Sequence, residues 1–198
     1  MKKGIMVGIS IVIIVLVMLI IGKTVLIFTG NKENREIDVT KFKIDNEVYS
    51  IKEGDSLLVD GWNEEIEVEF NDEDMDGKIE LYNGISIGST VEDVIEKFDI
   101  KSGYANLNME VPTEEHDGTT DVVQVLYKNK NSFADTFLDT MIEFGYKKTN
   151  NGWKMVKYSD IDNADILYLI DINGFPEDEL VDKNEVIMIN IEYLNENR

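Results

Sequence analysis

The chain contains no cysteine, a single histidine and only two prolines. The missing cysteine removes disulfides, thiolate nucleophiles and cysteine-ligated metals together. It leaves the redox compartment undetermined, because an oxidising compartment permits disulfides without requiring them. The lone imidazole, His116 in Pro112-Thr113-Glu114-Glu115-His116-Asp117-Gly118, is the only one a serine-type hydrolase could use as base. Neither a Gly-x-Ser-x-Gly elbow nor a Gly-x-x-x-x-Gly-Lys-Ser/Thr phosphate loop accompanies it. His116 therefore reads as a solvated loop residue.

Alanine is also missing from the first hundred residues, the earliest being Ala105. That matters for the N-terminus, where an apolar run from Ile5 to Ile21 is broken only by Gly8 and Ser10, with a second patch at Val25 to Phe28. A helix rising ~1.5 Å per residue covers roughly 25 Å over the first run and about 36 Å if continued to Phe28, which brackets the ~30 Å hydrocarbon core. In lipid every backbone polar group must be satisfied within the segment, so an Ile/Val-rich run is helical there. A cleaved secretory signal is the rival, but it wants a shorter apolar region and a small-residue A-x-A site, and a lipoprotein wants a cysteine. Residues 1–29 are expected to be an uncleaved transmembrane anchor that enters the membrane through residues 5–28. Lys2 and Lys3 favour an N-terminus on the inside, while Lys23, Lys32, Arg35, Lys41 and Lys43 crowd the other flank and weaken the charge bias. Long domains translocate with little regard to charge, so the expectation is a single-pass cell-membrane protein with an extracytoplasmic domain.

Positive charge is scarce: 19 Lys and Arg stand against 40 Asp and Glu, for a formal charge of −21. Residues 1–29 hold three of the lysines and no acid, so 16 bases and 40 acids remain downstream and the charge there is −24. Such a field repels phosphate backbones and anionic headgroups, which excludes nucleic acid as a partner. Aromatic and aliphatic residues are spread throughout this region, so its acidity does not imply disorder. The expected organisation is a polar stalk over residues 30–40 and a single acidic domain over residues 41–198.

Within that domain strands outnumber helices. Phe42-Lys43-Ile44 and Val48 to Ser50 flank Asp45-Asn46 as a hairpin. Ser56 to Asp60 reads as one helical turn closed by Gly61. Glu64 to Phe70 alternates, with Ile66, Val68 and Phe70 on one face and Glu65, Glu67 and Glu69 on the other. Lys78 to Tyr82 returns as a strand, followed by a turn at Asn83-Gly84. Ser89 to Phe98 begins with two overlapping capping choices, Ser89 with Glu92 or Thr90 with Asp93, and places Val91, Val94, Ile95 and Phe98 on one helical face. Strands are expected at Tyr104 to Val111 and Asp121 to Tyr127, then a second helix from Ser132 to Gly145. A hairpin about Asn150-Asn151-Gly152 and two strands, Asp165 to Ile172 and Glu185 to Tyr193, complete the chain. The fold class expected is α+β: an antiparallel sheet of about seven strands packed by two short helices, behind one transmembrane helix.

The stretch Gly84-Ile85-Ser86-Ile87-Gly88-Ser89-Thr90-Val91-Glu92-Asp93-Val94-Ile95-Glu96-Lys97-Phe98 resembles the helix start of β-lactamase-inhibitory-protein-like domains and small outer-membrane-assembly lipoproteins, and of exported Gram-positive proteins. In the first group the resemblance implies helices on a short antiparallel sheet that binds protein partners. It covers about 15 residues, departs at Asp99, where many relatives carry Gly, and transfers no functional residue.

The sharpest chemical motif is Asp72-x-Asp74-x-Asp76-Gly77, the spacing of the first half of a calcium loop, in which three carboxylates converge on a hard cation. Position 12 of that loop is Asn83, where a bidentate Glu belongs, so the competing reading is an acidic hairpin turn. Asp160, Asp162 and Asp165 form a second acidic run that suits a turn as well as a metal. Trp62 and Trp153 either fill the core or offer a sugar platform. Paired carboxylates for glycoside hydrolysis are a spatial matter that abundance alone does not establish. The expectation is a membrane-anchored binding module for a protein or cell-envelope partner, with no cofactor other than candidate calcium. The alternative is a cell-envelope hydrolase, calcium-dependent or not.

Overall fold

A computed structural model of the protein describes residues 38–62, 65–109, 120–128, 140–172 and 185–195. The anchor and most of the stalk, His116, and residues 132–139 of the expected second helix lie outside these. Among the described residues no helix is long and apolar enough to cross a membrane. All of them belong to one unit, Asp38–Arg198.

The architecture is mostly antiparallel β-sheet with a few short helices. β1 (Lys41–Ile44) and β2 (Glu47–Ser50) form a hairpin whose two-residue turn puts Asp45 at φ 47° and Asn46 at φ 72°. Both angles suit the right-handed twist of a tight hairpin, and Asp and Asn tolerate them. β6 (Ile79–Leu81) pairs with the other edge of β1 to make a three-stranded sheet.

A nine-stranded sheet holds the remainder. It contains β3 (Ser56–Asp60), β4 (Glu67–Phe70), β5 (Glu73–Met75), β7 (Ala105–Met109), β8 (Thr120–Asp121), β9 (Thr140–Thr149), β10 (Gly152–Met155), β11 (Ile166–Ile172) and β12 (Val186–Tyr193). Their order is β5-β4-β3-β12-β11-β9-β7-β8, with β10 folded back on the end of β9. Among the described residues the helices are α1 (Val91–Lys97), α2 (Val122–Lys128) and a 3-10 helix at Tyr158–Asn163.

One face of the large sheet builds the core. Leu57, Val59, Ile142, Phe144, Ile166, Tyr168, Ile170 and Ile189 are fully buried, each two residues from the next on its strand. The small sheet and α1 contribute to the same core, with Phe42 edge-on to Phe70 at 5.3 Å, and Phe98, just past α1, edge-on to Phe144 at 4.8 Å and Tyr168 at 5.3 Å. Phe144 and Tyr168 stack at 5.1 Å. The Tyr168 hydroxyl donates to the Val39 carbonyl, so the one polar atom of the largest buried side chain is satisfied. Burial of the phenols opposes their ionisation: the pKa of Tyr82 is pushed up to about 12, and those of Tyr146 and Tyr168 rise well above the ordinary tyrosine value.

α1 starts as a capping box. The Thr90 hydroxyl accepts from the Asp93 amide, and the Asp93 carboxylate accepts from the Thr90 amide. Of the two capping choices the sequence offered, Thr90 with Asp93 is the one formed.

Five expectations need correction. Ser56 to Asp60 is not a helical turn but β3, because Leu57 and Val59 alternate into the core and β12 and β4 supply backbone partners on both sides. Asp121 to Tyr127 is not a strand: Asp121 ends β8, and its carboxylate accepts from the amides of Val123 and Gln124 and so caps α2. The Val-rich run then buries Val122, Val125 and Leu126 at helical spacing. Gly145 does not stop a helix; residues 140–145 open β9, in which Ile142, Phe144 and Tyr146 alternate inward. Gly145 sits in mid-strand because a Cβ there would lie 2.6 Å from the Ala164 Cβ. Ile66 precedes β4 and is 46% exposed, so it does not join Val68 on the buried face. Among the described residues the strands number twelve, in two sheets, instead of about seven in one, since short pieces such as β5, β8 and β10 count separately and β3 is held as a strand by its distant partner β12.

Candidate functional site

The other face of the large sheet is assembled by register. Directly paired residues share a face, so one row runs Asp74, Glu69, Leu58, Asn190, Leu169, Glu143, Asn106 and Asp121 across eight strands. The next runs Glu67, Asp60, Met188, Asp171, Met141 and Asn108. A third holds Ser56, Glu192, Leu167 and Gly145. Apolar, amide and acidic side chains are thus interspersed on this face, and no Lys or Arg occupies any of these positions. Leu58, Met141, Leu167, Leu169 and Met188 are all half-buried, in contrast to the fully buried residues on the core side.

The 3-10 helix covers one end of this face, where Gly145 admits Ala164 and Ile161. It brings Tyr158 over the sheet, where its hydroxyl donates to Glu143 Oε2 at 2.6 Å, and the Asn108 amide donates to the same oxygen at 3.4 Å. Burial, and then the hydrogen bond to the Glu143 carboxylate, raise the Tyr158 phenol above its ordinary value. This network positions Glu143 as an acceptor with two donors already in place, which suits anchoring more than proton transfer.

Beside it lies a groove of about 450 Å³ lined by Glu53, Glu143, Lys147, Lys148, Asp162, Asp165 and Tyr193, among others. Its lysines are engaged. Lys147 Nζ donates to the Asn163 carbonyl at 3.2 Å, and Lys148 Nζ sits 5.8 Å from the Trp153 ring centre. Asp165 closes the strand end: its Oδ2 accepts from the Lys148 amide at 2.7 Å, and its own amide donates to the Tyr146 carbonyl at 2.8 Å.

The residues singled out by sequence are dispersed. Asp72 is in the turn between β4 and β5, with φ 61°; Asp74 lies in β5 opposite Glu69; Asp76 follows β5, and all three are exposed. Among the described residues no three His, Cys, Asp or Glu gather as a metal-holding group. Asp160 and Asp162 are exposed on the 3-10 helix, with Asp165 tied to backbone as above. Trp62 is 42% exposed, whereas Trp153 packs edge-on to Tyr193 at 5.6 Å. The acids of the open face were visible only as the solvent side of single strands, such as Glu67 and Glu69. The interruptions Asp60, Asp171 and Glu192 within apolar strands were the remaining signal.

No protein-family model, curated protein or solved structure matches the chain.

Proposed function

We propose that the protein is a single-pass membrane-anchored binding module, held by residues 5–28, whose acidic domain lies outside the cytoplasm and recognises a protein or cell-envelope partner without catalysing a reaction. The observation that carries this reading is the open face of the large sheet, where five half-buried apolar side chains are interspersed with carboxylates and amides. A surface of that kind offers contact area and charge without the nucleophile–base pairing that group transfer requires. The 17-residue apolar run from Ile5 to Ile21 supports the anchor, and the downstream charge of −24 supports attraction of cations and basic partners.

Topology and activity are tested together on the full chain. Protease added to intact cells should remove the domain; digestion only after lysis would overturn the placement. The purified chain should show no turnover in esterase, glycosidase and peptidase panels with millimolar calcium. Turnover abolished by replacing one carboxylate would establish the enzyme instead. Calcium binding at Asp72, Asp74 and Asp76 would appear as a rise in Tm that Asp74→Ala removes.

A further inference from the structure

Resting on the binding-module reading, we propose that the open face of the nine-stranded sheet docks a cationic amphipathic protein segment, apolar along one side and flanked by Lys or Arg. Three observations converge on that occupant.

The first is shape. β3, β12, β11 and β9 are consecutive neighbours and span roughly 15 Å at ~4.8 Å per strand, and the three rows extend about 14 Å along them. That is the footprint of about three turns of helix, whose width with side chains is ~10–12 Å. Leu58, Met141, Leu167, Leu169 and Met188 supply the apolar contacts, two of them methionines, whose unbranched side chains adapt to an incoming surface.

The second is a local conflict in the free protein. Asp60 stands directly opposite Glu67, and Glu69 directly opposite Asp74, on the same face. Like charges placed so are mutually destabilising. No Lys or Arg stands at any position of the three rows, the lysines of the adjoining groove being Lys147 and Lys148, and a cationic partner adds counter-charge beside these two pairs.

The third is elimination of self-occupancy by charge. The neighbouring segments outside the described residues are themselves acidic: 110–119 carries four acids and no base, 129–139 two acids and one lysine, and 173–184 four acids and one lysine. Residues 30–37 balance two acids with two bases, and residues 1–29, with three lysines and no acid, are assigned to the membrane by the anchor reading. A second copy brings the same acidic face.

The test uses the full chain in zwitterionic-lipid nanodiscs, with empty nanodiscs as reference. The probe is a synthetic Leu/Lys peptide of about 14 residues, amphipathic as a helix, and the controls are a scrambled sequence and a Leu/Glu counterpart. We expect the Leu/Lys peptide to bind with steep salt dependence, to slow amide exchange in β3, β12 and β11, and to outcompete both controls. The isosteric double variant Asp60→Asn/Glu69→Gln should weaken binding by about tenfold, the equivalent of ~1.4 kcal/mol, while leaving Tm unchanged or higher. Leu169→Ala should also weaken it. The control Glu92→Gln/Glu96→Gln, on exposed positions of α1, removes the same charge and should leave binding intact. Equal losses in both double variants would mean bulk attraction only and overturn the proposal, as would protection of the face by calcium with no peptide bound. If peptide binding fails while a crosslinked partner maps to another surface, the docking face is wrong and the binding-module reading stands. Turnover in the panels above defeats that reading itself.

Discussion

The two faces of the nine-stranded sheet are made by the same strands and obey different rules. Toward the core, Phe144 and Tyr168 stack at 5.1 Å and Ile142, Ile166 and Ile170 are fully buried. Toward the outside, the residues between them are Met141, Glu143, Leu167 and Leu169, all half-buried. A strand in a two-layer protein needs only one apolar face, and polar residues ordinarily take the other. β11 reads Ile-Leu-Tyr-Leu-Ile-Asp-Ile, so its outer side keeps two leucines that the core does not use. Stability accounts for one face and does not by itself require the apolar residues of the other.

The comparison breaks most sharply at Phe144. Phe144→Ala should cost about 3–5 kcal/mol, read from the urea midpoint of the full chain, because the ring touches Phe98, Tyr146 and Tyr168 at once. A loss near that expected at an outer position would show that the two faces do not differ as described.

Alkaline pH attacks the same face more gently. The Tyr82 phenol ionises near 10 when unfolded and at about 12 when folded, so its contribution is complete below pH 10 and is lost as pH rises through 12. The loss from Tyr82 alone is on the order of 2–3 kcal/mol. Tyrosinate absorbance should rise together with loss of the folded circular dichroism signal, and free titration of all the tyrosines without unfolding would contradict their burial.

Gly145→Ala probes the seam where the 3-10 helix meets the outer face. Its Cβ would crowd the Ala164 Cβ and the Ile166 carbonyl, with an expected loss of ~1–3 kcal/mol. Exchange of amides near Tyr158 should accelerate before those of β12.

The smallest effect should have the opposite sign. Asp60→Asn/Glu69→Gln relieves two like-charge pairs and should raise stability by a few tenths to ~1 kcal/mol. A decrease would mean that these carboxylates stabilise the free fold, and the contrast between faces would lose its electrostatic half.

Local grammar was legible in the sequence wherever the partner residues lay nearby. The Asp45-Asn46 turn, the Thr90 and Asp93 box, and the hairpin at Asn150-Asn151-Gly152, with Gly152 at φ 93°, all form as their residues dictate. Long apolar runs gave β11 and β12. What failed were segments decided by distant neighbours. Ser56 to Asp60 is a strand because β12 pairs with it, and the Val-rich run after Asp121 is a helix because that carboxylate also holds the Ser102 hydroxyl at 2.6 Å and so fixes the cap. The candidate site was hidden for the same reason. Asp72, Asp74 and Asp76 are conspicuous in line but not gathered in space. Asp60, Glu69, Glu143 and Glu192 come from four strands and become neighbours only through register.

The position of β12 has a consequence in time. It lies between β3 and β11, so the last of the described strands in chain order joins the sheet's first three strands to the remainder. Until residue 193 is available, the chain holds two partial sheets with bare edges at β3 and β11, and closing them spans most of the domain. Pairing over such sequence separation is slow, and exposed edges invite association with other chains. Closure of the sheet therefore waits for β12, and an interruption of synthesis before Val186 leaves a sticky intermediate instead of a smaller version of the domain.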